Sequence, residues 1–146
     1  MALTKRGEFW FGKEAKDIHE FLKMYSENGY KVEEFRLASC KCSGQVFLLY
    51  ADDTEGAAKR VCVACDHAHF VGDSEEYWDE ADPDMFACPE CEGEHSNIGV
   101  GFAFYQSSED IRWLYVGCRC VDCGLVGVFA DWKIDYSPSK QLLEQV

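Results

Sequence analysis

Nine cysteines stand in this 146-residue chain, and eight of them come in close pairs. The pairs are Cys40-Lys41-Cys42, Cys62-Val63-Ala64-Cys65, Cys88-Pro89-Glu90-Cys91 and Cys120-Val121-Asp122-Cys123. The second and fourth pairs open segments that align without a gap. Cys120 falls on Cys62, Val121 on Val63, Cys123 on Cys65 and Asp131 on Asp73, with Val128-Phe129 on Phe70-Val71. Each aligned segment has one further pair upstream. Cysteines two residues apart curl around one ion far more readily than they close a strained local disulfide. The odd count and this spacing point to thiolate ligands rather than a disulfide framework. The pattern predicts two metal sites, one from Cys40, Cys42, Cys62 and Cys65, the other from Cys88, Cys91, Cys120 and Cys123.

The alignment sets the ninth cysteine apart. Cys118 falls on Arg60, so the repeat marks it as a spare, read as a buried free thiol. Alternate strand residues share a face, so it is also the residue that would replace Cys120. The Cys40/Cys42 pair is one residue shorter than the others. Should Cys40 not ligate, His67 or His69 would complete a site of three cysteines and one histidine. Both are read as strand residues and His95 as loop. Spacing alone leaves iron or an iron–sulfur centre open beside zinc.

The second set matches a known pattern: Cys88-x2-Cys91, then 28 residues from Glu92 to Arg119, then Cys120-x2-Cys123 and Gly124. It resembles the zinc ribbon superfamily over roughly residues 40–131. The resemblance implies structural zinc, here two ions, in a β-rich fold with cysteine pairs at the ends of hairpins. It implies neither substrate nor catalysis. The expected fold class is α+β, an N-terminal helix followed by two tandem zinc-ribbon-like antiparallel β units. The expected divisions are 1–39 (helix and first strand), 40–73 (first unit), 74–87 (acidic connector), 88–136 (second unit) and 137–146 (tail), within one compact domain.

Periodicity places the elements. From Glu14 to Glu27, Ala15, Ile18, Phe21, Leu22 and Tyr25 share one helical face, with Lys16, Asp17, Glu20 and Lys23 outward, and Asn28-Gly29 supplies a stop. Phe9-Trp10-Phe11 is expected under the helix or as a short strand. Val46 to Tyr50 reads as a strand buried on both faces, Asp52 to Gly56 as a turn and Ala57 to Val61 as the returning strand. In the second half, Ile98 to Tyr105, Ile111 to Cys118 and part of Gly124 to Tyr136 read as strands, with Gly99 and Gly101 marking close backbone approach. Tyr77-Trp78, inside the connector, is expected to anchor it on the core rather than to form a binding surface.

Charge bears on function. The net charge is −13, and the 51 residues from Val61 to Ile111 hold 13 acids and no Lys or Arg. Fourteen basic and fourteen acidic residues balance over the rest, so the imbalance is local and repels a phosphate backbone. A closed four-cysteine site leaves no position for an activated water. No zinc-deaminase, redox CxxC, P-loop or dinucleotide motif is present, so the chain is read as not an enzyme. The first reading is a small cytosolic zinc protein that engages a protein partner, a basic one being suited to its charge, as an acidic inhibitor, immunity or adaptor module. The alternative is a nucleic-acid-binding zinc ribbon protein using Lys31, Arg36, Lys41, Lys59, Arg60, Arg112, Arg119 and Lys133. The start of the chain lacks the apolar region of a signal peptide, and no run is long enough to span a membrane. The expected location is the cytoplasm, with no membrane partner.

Overall fold

The structure, a computed structural model, describes residues 3–134 and 136–146. Met1 and Ala2, within the stretch read for a signal peptide, and Asp135, within segment 88–136, lie outside the described residues. In chain order the elements are β1 (Thr4–Arg6), β2 (Phe9–Phe11), α1 (Asp17–Tyr25), β3 (Glu34–Leu37), β4 (Phe47–Asp52), β5 (Ala57–Cys62) and β6 (Ala68–Phe70). A 3-10 turn, Ser74–Glu80, leads to β7 (Asp84–Met85), β8 (Ser96–Phe104), β9 (Ile111–Cys120) and β10 (Leu125–Lys133), and a second 3-10 turn, Lys140–Glu144, closes the chain.

All ten strands belong to one antiparallel sheet, ordered β1-β2-β10-β9-β8-β4-β5-β6, with β3 on β8 and β7 on β4. This overturns the expected helix followed by two ribbon units. A three-stranded unit standing alone would leave β4 or β8 as an open edge with unpaired backbone groups. Here those edges pair with each other through Phe47 and Ser96. The strand preceding each unit crosses to the other one: β3 pairs β8, and β7 pairs β4.

The sequence repeat becomes an approximate two-fold axis inside this sheet. With Gly44 placed on Gly93, Phe47 falls on Ser96, the two residues that pair at the junction. Matching backbone bonds follow. Ala38 N donates to Ile98 O and Phe86 N to Leu49 O, both at 2.8 Å. Val63 N donates to Val46 O at 3.2 Å and Val121 N to His95 O at 3.1 Å.

Alternation along the strands separates two cores. Phe47, Leu49, Ile98, Val100, Phe102, Leu114, Val116 and Trp132 belong to one cluster, in which both halves of the sheet meet. The opposite face of β8–β10 receives α1, with Ile18, Phe21 and Leu22 against Tyr115 and Val126. Glycines admit the helix. A Cβ at Gly117 would sit 2.7 Å from Ile18 Cγ2, and one at Gly101 3.0 Å from Leu22 Cδ1. The predicted close approach at Gly99 and Gly101 is thus found, Gly99 lying under the Phe35 ring.

Some local expectations need correcting. The helix is shorter than Glu14–Glu27, and Asp17 faces inward, its Oδ2 accepting from Lys13 N at 2.8 Å and Glu14 N at 2.9 Å. Those two amides precede the helix and have no intrahelical acceptor, which is why a carboxylate is held there. Tyr25 lies 52% exposed rather than in the core. Strand β4 alternates buried and half-buried positions instead of burying both faces. Trp78 does anchor its segment: its ring meets Phe70 edge-on at 5.4 Å, and Lys59 Nζ lies 5.1 Å from its centroid.

Candidate metal centres

The eight cysteines are brought together as two sets, Cys40, Cys42, Cys62 and Cys65, and Cys88, Cys91, Cys120 and Cys123. Within each set all sulfurs lie within 4.8 Å of one another. Cys40–Cys65 and Cys91–Cys120 are 3.5 Å apart, Cys42–Cys62 and Cys88–Cys123 3.6 Å. A disulfide needs about 2.05 Å. A tetrahedral zinc with sulfurs at about 2.3 Å has edges of about 3.8 Å, so these sets have the size of a four-thiolate cage. Either set can hold one metal ion. The pairings also cross between clips, as a tetrahedron built from two turns requires.

Four tight turns position the sulfurs. In three of them the amide after the second cysteine closes onto the first: Asp66 N on Cys62 O, Glu92 N on Cys88 O and Gly124 N on Cys120 O, each 2.8 Å. In the short Cys40/Cys42 clip, Ser43 N closes onto Cys40 O, also at 2.8 Å. One fewer residue tightens the turn without moving its sulfurs out of reach. The closing residue has positive φ every time, Ser43 at 75°, Asp66 at 64°, Glu92 at 66° and Gly124 at 88°. Only Gly124 must be glycine on space as well, because a Cβ would meet Gly12 O at 2.8 Å.

The same turns aim amides at sulfur. At Cys40 the N–H of Cys42 is the largest influence and holds the thiol down at about 7. At Cys65 the N–H of His67 pulls down, but hydrogen bonds to Cys40 and Cys42, burial and Cys62 push the thiol up to about 12. At Cys88 burial raises the thiol, yet the amides of Cys91 and Glu90 outweigh it and the net direction is down. Burial raises Cys120, and takes Cys123 to about 12. Cys40 and Cys88 are thus held down while Cys65, Cys120 and Cys123 are pushed up. A divalent cation bound by the set would favour the thiolate at every ligand.

The remaining candidates stay outside. His67, His69 and His95 belong to neither set, and His69 lies in β6 opposite Arg60. Cys118 is also outside, 2% exposed, and burial pushes its thiol up to about 12. On the other strand its counterpart Arg60 is equally enclosed at 5% exposed. Arg60 Nε donates to Val146 O at 2.8 Å, its guanidinium lies 4.7 Å from the Phe47 centroid, and Cys40 and Cys62 act on it electrostatically. Sequence reasoning missed this cation beside the first set. The signal was there: Ala58, Arg60 and Cys62 alternate onto one buried face.

Register fixes the two sets relative to each other. Cys62 pairs with Phe47, Phe47 with Ser96 and Ser96 with Cys120, forming one row across β5, β4, β8 and β9. Three strand spacings of about 4.8 Å put Cys62 and Cys120 roughly 14 Å apart.

Searches against protein families, curated proteins and solved structures return no match to this chain.

Proposed function

We propose that this chain is a small cytoplasmic zinc protein whose two metals are structural and whose acidic surface engages a basic protein partner. What supports the metal part is the pair of closed four-sulfur cages, whose size and donor set suit zinc and leave no coordination position for a reacting water. The zinc ribbon likeness of the cysteine spacing belongs to this proposal. The chain has no catalytic role of its own in this reading.

The interaction part rests on charge distribution. Of the 13 acids between Val61 and Ile111, eleven are exposed, Asp73 is buried and Asp110 half-buried. The cations named for a nucleic-acid reading are largely engaged within the chain. Arg36 pairs with Glu34, and Lys59 lies over the Trp78 and Tyr50 rings. Arg112 stacks on Tyr30, and Arg119 holds Gly12 O, Lys13 O and Asn97 Oδ1. Arg60 is buried. A surface that spends its cations internally and exposes its acids favours a basic protein over a phosphate backbone. Among the described residues no helix is long and apolar enough to cross a membrane.

Metal analysis of purified protein is expected to give two zinc ions per chain, with a chelator unfolding it. One ion, or none with the fold intact, would refute the metal part. Pull-downs at low and high salt test the partner. A specific, salt-sensitive basic protein is expected, and its absence sinks the interaction reading.

A further inference from the structure

Away from both cysteine sets, a cavity of about 300 Å3 opens between the β4–β5 turn, the Ser74–Glu80 turn and the end of β10. Three aromatic rings line it, Tyr77, Trp132 and Tyr136, with the carboxylates of Asp73 and Glu55 and the exposed Lys133. Asp73 is only 8% exposed, yet among the described residues it forms no ion pair. Its Oδ1 accepts from Trp132 Nε1 at 3.3 Å and its Oδ2 from Tyr136 O–H at 3.0 Å. Its own backbone N–H is a third donor, and a carboxylate offers about four acceptor positions, so about one remains for a ligand.

A buried carboxylate with no ion-pair partner among the described residues, in a cavity lined by three aromatic side chains, attracts one kind of guest. Organic cations gain from ring quadrupoles and from the carboxylate together, whereas a neutral guest leaves the charge uncompensated and an anion is repelled. We propose that this cavity binds an alkylammonium group, either a free quaternary or primary amine or a lysine side chain presented by a protein. Asp73 supplies the countercharge, Tyr77, Trp132 and Tyr136 the aromatic walls, and Lys133 competes from the rim. The proposal stands apart from the salt-sensitive partner reading, because a free amine needs no partner protein.

Choline and its uncharged isostere 3,3-dimethylbutan-1-ol are the first probes, followed by NMR through the Trp132 indole N–H resonance of the intact, metal-loaded protein. A saturable shift with choline and none with the isostere is expected; equal shifts, or none with either, overturn the proposal. N-acetyl-lysine amide and a lysine-containing peptide form the second arm. Tighter binding of the peptide than of choline assigns the site to a protein-borne lysine, and the reverse assigns it to a free amine. Tyr77→Ala is expected to weaken binding about tenfold and Lys133→Ala to tighten it. Unchanged affinity in both variants overturns the assignment, even should Asp73→Asn, which is expected to abolish binding, fail to fold.

Discussion

The two cysteine sets share a geometry and differ in what surrounds them. The first is held by its own turns, with Cys42 and Cys65 exposed and a buried arginine at its flank. The second is built into the N-terminal segment. Gly12 N donates to Gly124 O at 2.8 Å, Arg119 clamps Gly12 O at 2.8 Å and Lys13 O at 3.0 Å, and β2 pairs with β10 directly after the knuckle. Where the first set has Arg60, the second has Cys118. Four thiolates around a dication carry a formal charge of −2. The first site has a buried guanidinium beside it, whereas the second, with Cys91 exposed and Cys123 half-buried, is tied to the N-terminal segment through Gly12 and Arg119. One sulfur cage therefore tolerates two different settings, and the settings predict different failures.

The largest effects come from the buried ligands. Cys62→Ser and Cys120→Ser are each expected to lose one of two ions, removing binding energy on the order of 10 kcal/mol from the fold. Cys120→Ser should give the lower melting temperature because more structure rests on its site, and a chelator should empty the first set first. Metal-to-protein ratios and thermal melts read both, and retention of two ions in either variant breaks the assignment. Next come the closing residues of the turns. Gly124→Ala faces positive φ and the Gly12 carbonyl together, and is expected to destabilise by about 2–3 kcal/mol. Ser43→Gly, Asp66→Gly and Glu92→Gly relieve strain instead and should range from neutral to about 1 kcal/mol stabilising in denaturant titrations. Destabilisation by all four would erase the distinction.

Arg60→Met keeps bulk while removing charge. It is expected to cost about 2 kcal/mol and to speed metal loss from the first set alone, measured by chelator kinetics. Loss of both ions at equal rates would contradict a local role. Its counterpart, Cys118→Ala, should keep both ions and cost about 1 kcal/mol through a small cavity.

The smallest effect concerns the aligned acids. Burial raises both Asp73 and Asp131 above the ordinary carboxylate value. Each is faced by a tryptophan and a tyrosine, Trp132 and Tyr136 at Asp73, Trp113 and Tyr25 at Asp131. A carboxyl raised in the fold favours the folded state below its unfolded value of about 3.9 and loses that contribution as pH climbs through the folded value. The stability of the unsubstituted protein relative to Asp73→Asn should therefore fall as pH rises from about 4, measured by stepped-pH denaturation. A difference moving the other way would show that the hydrogen bonds outweigh burial.

What the sequence shows clearly is what neighbouring residues decide. The clips are legible because two or three residues set both sulfurs, and the gapless repeat separates Cys118 from the others. Helix α1 is visible through its apolar period, although Asp17 is misjudged because its partners, Lys13 and Glu14, lie before the helix. The single sheet is not legible. Strands β3 and β7 are four and two residues long, and nothing in Glu34–Leu37 states that its partner is β8 rather than β4. Arg60 and Asp73 escape notice for a related reason. Arg60 Nε and the two Asp73 oxygens find their partners in Val146, Trp132 and Tyr136, all contributed from the far end of the chain.

The crossed pairing of β3 with β8 also sets the order in which the molecule can be finished. A chain emerging from the ribosome at about 5–20 residues per second exposes Cys40 to Cys65 well before Ser96–Phe104 exists to receive β3. The first sulfur cage can close on local turns alone, but its sheet edge stays open until the second half arrives. An ion bound at the first site can therefore arrive before its core is complete, and it would hold the half-made sheet in register while its partner is synthesised. Starving the cell of metal should therefore act first on newly made chains, as aggregation through that open edge.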